Sequence, residues 1–280
     1  MRAGTRPMRR TRATTVPLLV ICALACAALA APAPAKRTAA RGGARLTYDE
    51  ALVREVRAET VPAAPLENAD EKPDGVYPEH VAFTLVGVSG TPADSFNEPI
   101  IRVCPVAEYL KAFAVSPAYV RDARRVLREL RGLIRRHPAA LGGNVPALPF
   151  ADGTEVFHAH VTYLRFRGGA GVAFLTQGQQ DDELINNQHV SYEFRGLTDD
   201  ERFYVSATFP AGAPGLAATR AAASHEGYTL PREVGGARAR SSYAAYVERV
   251  RRKLERLPPE RFTPSLRLYD DLLGSLEIRN

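Results

Sequence analysis

EVFHAHVTYLRF (155–166), with VAFLTQ (172–177), HVSYEF (189–194) and RFYVSATF (202–209) behind it, is the stretch whose reading decides the fold. In the first segment Phe157, Ala159, Val161 and Tyr163 alternate with His158, His160 and Thr162. Val190, Tyr192 and Phe194 alternate with His189, Ser191 and Glu193, and Phe203, Val205, Ala207 and Phe209 with Tyr204, Ser206 and Thr208. A period of two is that of strands with one buried and one free face. RGGAG (167–171), GQQDDELINN (178–187) and GLTDDE (196–201) are short connections rich in turn formers. The four strands are therefore expected to run as an antiparallel meander over 155–210.

Upstream, HVAFTLVGVS (80–89) and EPIIRVCPV (98–106) read as two further strands. A short helix is expected over 106–113, and a longer one from Pro117 to Arg136. The longer one carries an apolar stripe of Val120, Ala123, Leu127, Leu130 and Ile134. Its other faces hold Arg121, Arg124, Arg125, Arg128, Arg131, Arg135 and Arg136. Such a surface either is simply solvated or rests on anionic lipid or wall polymer. Downstream, 211–240 has no periodic pattern, Ser241-Ser242 opens a helix ended by Pro258-Pro259, and Thr263-Pro264 opens another ended by Gly274. Residues 275–278 read as a last short strand. The expected class is α+β: a mainly antiparallel sheet with helices packed on one face, as a single domain over 77–280.

Ahead of that domain, five arginines precede an uncharged run, Pro17 to Ala31, and then small residues. A basic leader, a short apolar core and an Ala-x-Ala site predict a signal peptide over 1–35 and hence export, to periplasm, exterior or envelope. Cys26 follows Ala23-Leu24-Ala25, part of a lipidation pattern, which gives peripheral membrane association through a lipid anchor as the alternative to plain cleavage. Residues 36–76 are expected to be a flexible arm. Its short helix would start at the capping-box pattern Thr47-Tyr48-Asp49-Glu50 and run to about Arg57. Without the leader the chain keeps 32 basic and 31 acidic residues, so its charge gives no reason to expect nucleic acid. Cys104 is then the one cysteine of the body, and it sits in an apolar strand.

A meander places alternate turns at opposite ends of the sheet. His158, His160, Asp181, Asp182, Asn186, Asn187 and His189 are thus expected to converge on one end of the polar face, with Glu193 beside them. The His158/His160 pair has strand spacing suited to zinc, but His189 lies two strands away, roughly 10 Å, so no metal and no cofactor is expected. Ser191, between His189 and Glu193, raises a hydrolase reading; it lacks the glycines of a nucleophile elbow and a base from another element. The leading expectation is an exported, non-enzymatic domain that binds an unidentified ligand or envelope partner through this polar face. The alternative is a secreted hydrolase, metal-assisted, at the same end.

YLRFRGGAGVAFLTQ (163–177), INN (185–187) and YEFRGLTDDERFYVSATFP (192–210) resemble a family of uncharacterised exported bacterial proteins, many of them lipoproteins. YPEHVAFTLVG (77–87), PIIRVCPV (99–106), LPF (148–150) and FTPSLRLYDDLLGSL (262–276) share in the resemblance. It implies export and one α+β domain. It implies no reaction and no catalytic residue.

Overall fold

A computed structural model describes residue 1 and residues 35–91, 95–150, 153–230 and 237–279, of which 35–279 belong to one compact unit. The chain runs β1 (Lys36–Arg41), β2 (Ala44–Asp49), β3 (Val53–Val61), β4 (His80–Val88), β5 (Ile100–Pro105), α1 (Val106–Ala112) and α2 (Pro117–Arg136). It continues β6 (Thr154–Glu155), β7 (Ala159–Phe166), β8 (Gly169–Gln179), β9 (Val190–Thr198), β10 (Phe203–Pro210), β11 (Ser224–His225) and β12 (Tyr228–Thr229). It ends α3 (Ala237–Glu255), α4 (Leu266–Gly274) and β13 (Glu277–Ile278).

The class is α+β, built on an antiparallel sheet of eight strands in the order β3-β4-β5-β10-β9-β8-β6, with β7 continuing the β6 edge along β8. The expected meander is present as β7–β8–β9–β10, each strand antiparallel to the next. Both faces of the sheet are packed. Ala173 and Leu175 of β8 enter a core shared with β2, α3 and α4. Val172 and Phe174, pointing the other way, enter a second core with Tyr109 and Phe113 on the α1 side and Ala123, Val126, Leu127 and Leu130 of α2. The helices therefore divide between the faces. The face expected to be free is half covered, since α1 and α2 lie over the end near Leu197 and Tyr204.

The arm is where the sequence reading fails. Residues 36–61 form three strands, and the domain starts at Lys36, not Tyr77. Ala44, Leu46 and Tyr48 alternate inward from β2, while β3 pairs with β4 along its whole length. The capping-box pattern closes a turn instead: the Asp49 carboxylate accepts the Ala51 N–H at 2.7 Å, the local bond by which Asp competes with helix. Beyond it Ala64 bridges to Tyr77, and Leu66 and Val76 are buried. In the C-terminal half, α3 begins at Ala237, so Ser241-Ser242 lie inside it, and 224–229 form a small hairpin. The short last strand pairs with β2. The leader expected over 1–35, apart from its first and last residues, and Cys26 lie outside the described residues.

Candidate functional site

On β9 the side chains of Ser191, Glu193 and Arg195 share one face with Leu197. Leu197 is under the α1–α2 layer; the other three lie beyond its edge, at the floor of a cleft of about 720 Å³. Thr176 of β8 borders the same cleft. Asn144, the loop 178–183, His189, Arg220 and Phe96 form its walls, and Phe96 keeps 65% of its surface exposed. A second cleft, about 940 Å³, adjoins it across Thr154, Glu155 and 179–182, and reaches Tyr243, Val247 and Arg251 of α3. It is the larger, and its lining mixes apolar side chains with Glu155, His158, Asp181, Asp182, Glu248, Arg251 and Glu255. The charged groups set into the sheet itself face the first.

Those floor groups form a chain of contacts. Arg195 places Nη1 at 2.6 Å from a Glu155 carboxylate oxygen and donates from it to the Val145 carbonyl at 2.5 Å. Its guanidinium lies 5.2 Å from the Phe174 ring centre, a cation–π contact. The other Glu155 oxygen accepts from the Val145 N–H at 2.7 Å and meets His158 Nε2 at 2.8 Å. Glu155 is thus the clamp that fixes both the β6 edge and the segment around Val145 to Arg195. Glu193 accepts from the hydroxyls of Ser191 at 2.8 Å and of Thr208, on neighbouring β10, at 3.0 Å.

The two carboxyls are pushed apart electrostatically. Removal from water raises Glu193 above the ordinary range, more than Arg195 and the two hydroxyls lower it. Burial acts on Glu155 too, but His158, Arg195 and the Val145 N–H together hold it below that range. Arg195 is raised: burial opposes its charge, and Glu155 and Glu193 outweigh burial. A pair of groups with divergent pKa values in one cleft is the usual signature of a functional site, and also of a structural ion network.

The residues singled out from sequence separate into two sets. His158, Asp181, Asp182, His189 and Glu193 border one or both clefts. His189 is held by Glu183, whose carboxylate meets its Nδ1, and by an edge-on contact with Phe96 at 4.8 Å. Asn186, Asn187 and His160 are not cleft residues. Buried Asn186 accepts the N–H groups of Gln188 and His189 at 3.0 and 3.2 Å and so shapes the loop from within. Asn187 accepts the Ala213 N–H at 2.9 Å. His160 sits on a bulge with φ of 50°, bonded through Nε2 to the Leu254 carbonyl at 2.9 Å. The bulge also explains the split alternation of this strand: Phe157 and Ala159 enter one core, whereas Val161 and Tyr163 pack against the other.

Arg195, Glu155, Thr176 and Thr208 were not anticipated. Arg195 was within reach, because it extends the Ser191–Glu193 alternation by one step. Glu155 was not: nothing in sequence says that the edge strand breaks after it and folds its carboxylate under the sheet. Among the described residues no group of three or more His, Cys, Asp or Glu is placed to hold a metal ion. Compared with protein-family models, with curated proteins and with solved structures, the chain finds no match.

Proposed function

We propose that this chain is an exported, non-enzymatic binding domain whose polar cleft on the β8–β9 face takes a cationic group of its ligand. The observation that carries this reading is the charge of the lining. Glu155, Asp181, Asp182 and Glu183 face Arg195 and Arg220, and Arg195 is already engaged by Glu155. A cleft lined by an excess of one sign concentrates the opposite charge. Asp181 and Asp182 are exposed at the border of both clefts, where an incoming ammonium or guanidinium first meets carboxylate. The pairing of the floor groups fits binding: Ser191 donates a hydrogen bond to Glu193, and His189, the nearest imidazole in sequence, is engaged by Glu183. Export rests on the leader expected over 1–35 and on the family resemblance.

The test is a thermal-shift series with spermidine, arginine and a neutral oligosaccharide. The expected result is a rise in Tm with the two cations alone, abolished in the Asp181→Asn/Asp182→Asn variant. An equal shift in wild type and variant, or none with any cation, overturns it.

The divergent pair Glu193, raised by burial, and Glu155 favours a second reading, a hydrolase with Glu193 as its general acid. In that case a panel of ester and glycoside substrates shows turnover that Glu193→Gln removes.

A further inference from the structure

Helix α2 carries a feature that the cleft does not use. At 3.6 residues per turn, Arg121, Arg124, Arg128, Arg131 and Arg135 fall within an arc of about 80°. They form one row along the helix, beside the face buried by Ala123, Val126, Leu127 and Leu130. From first to last the row spans about 21 Å, one guanidinium every 5 Å or so. Arg121, Arg124, Arg128 and Arg135 are exposed. Both acids of the helix lie to one side, where Asp122 and Glu129 are taken up by Arg125 at 3.2 and 3.4 Å. Neighbours of like charge at these spacings repel along the helix, and among the described residues Arg131 is the member of the row with a carboxylate partner, Glu201. At its C-terminal end the row meets a depression of about 370 Å³ lined by Arg131, Arg135 and Arg165, with Asp199 and Glu201 each already holding an arginine.

We infer that this row is a docking surface for a linear phosphodiester polymer without bases, of the poly(glycerol phosphate) kind. Three properties select it. The cationic groups are guanidinium throughout, and their fork geometry suits phosphate better than an ammonium does. The five arginines run lengthwise along the helix, matching a linear chain of charges, and the helix has no Trp or Phe to act as the apolar wedge by which helices lie on bilayers. It also offers no free aromatic ring on which nucleobases would stack: Tyr119 is turned inward against Phe113 and Phe150, and the His137 ring is stacked on Tyr163 at 4.3 Å. The surface is independent of the cleft and of its ligand.

The experiment is binding of the leaderless chain to fluorescent poly(glycerol phosphate) over a salt series, beside a single-stranded oligonucleotide and phosphatidylglycerol vesicles. Binding is expected to the polymer first. In Arg121→Gln/Arg124→Gln/Arg128→Gln, affinity should fall at least tenfold. The slope of log K on log salt should shrink by roughly 2, near the 0.7 per lost phosphate contact of single strands. Arg125→Gln/Arg136→Gln, on the flank, should change affinity less than twofold. A circular-dichroism melt matched to wild type establishes that the triple variant is folded. Unchanged polymer binding by the folded triple variant overturns the inference, as does tighter binding of the vesicles or the oligonucleotide than of the polymer.

Discussion

Arg195 and Glu155 meet at 2.6 Å with 12% and 9% of their side chains exposed, and their contact joins the middle of the sheet to its broken edge. A buried ion pair of this kind adds little net stability, but losing one partner strands the other's charge away from water. Arg195→Met is therefore expected to cost about 3–5 kcal/mol. Glu155→Gln in the same chain should recover part of that loss, with a coupling of about 0.5–3 kcal/mol. Urea unfolding of the two single variants and the double one closes the cycle. Strict additivity would show that the pair is not coupled.

Glu193 gives the stability a pH signature. Its pKa is raised on folding, by removal from water first, so the native state holds its proton more tightly than the unfolded chain does. Its favourable contribution is complete below the ordinary value of 4.5 and is lost as pH climbs through the raised native value. Glu155 works in the opposite sense: lowered on folding, it contributes above 4.5 and loses that contribution as pH falls through its native value. Glu193→Gln should therefore gain on wild type as pH rises from 4 to 7, with little difference at the acid end. Denaturation midpoints at unit pH intervals measure the gap, and a gap constant over this range counts against a raised Glu193.

Cys104 is fully buried on β5, and burial pushes its thiol up to about 12. The thiolate is the reactive form, so at pH 8 the native protein should resist iodoacetamide. In urea the same residue should be labelled at the rate of a free cysteine. Mass spectrometry of the two samples decides the matter, and rapid native labelling would place the thiol at the surface.

How much of this was legible in the sequence depends on where the determining contacts lie. The meander was readable because its alternation is local and its turns are short. β1 to β3 were not, because ARLTYD and VREVRAETV mix charged and apolar residues and acquire a buried side only when β2 meets β13 and β3 meets β4. His189, Glu193 and Asp182 could be placed near a cleft from topology alone. His160 could not be placed correctly, since one bulge turns it away from its expected neighbours. The Arg195–Glu155 contact depends on where β6 stops, which no pattern of residue types encodes.

RGGAG illustrates the same limit and gives a controlled test. It reads as a turn, yet the turn is Arg167-Gly168 alone, and Gly169 and Gly171 are strand residues of β8. A Cβ on Gly171 would stand 2.3 Å from the Phe194 ring and 2.5 Å from the Arg195 carbonyl oxygen. The glycine is there so that the ring can lie across the strand, and the carbonyl cannot retreat because Gly171 pairs with Gly196 in the β8–β9 ladder. Gly178, in the same strand, has nothing within 4 Å of the corresponding position. Gly171→Ala should accordingly cost about 1–3 kcal/mol by overpacking. Gly178→Ala should be neutral or stabilising by up to about 1 kcal/mol, since it only restricts the unfolded chain. Both alanines have the same intrinsic strand preference, so a difference in urea midpoint between them measures the ring's claim on that space. Equal midpoints would mean that Phe194 can leave its place over Gly171 without penalty.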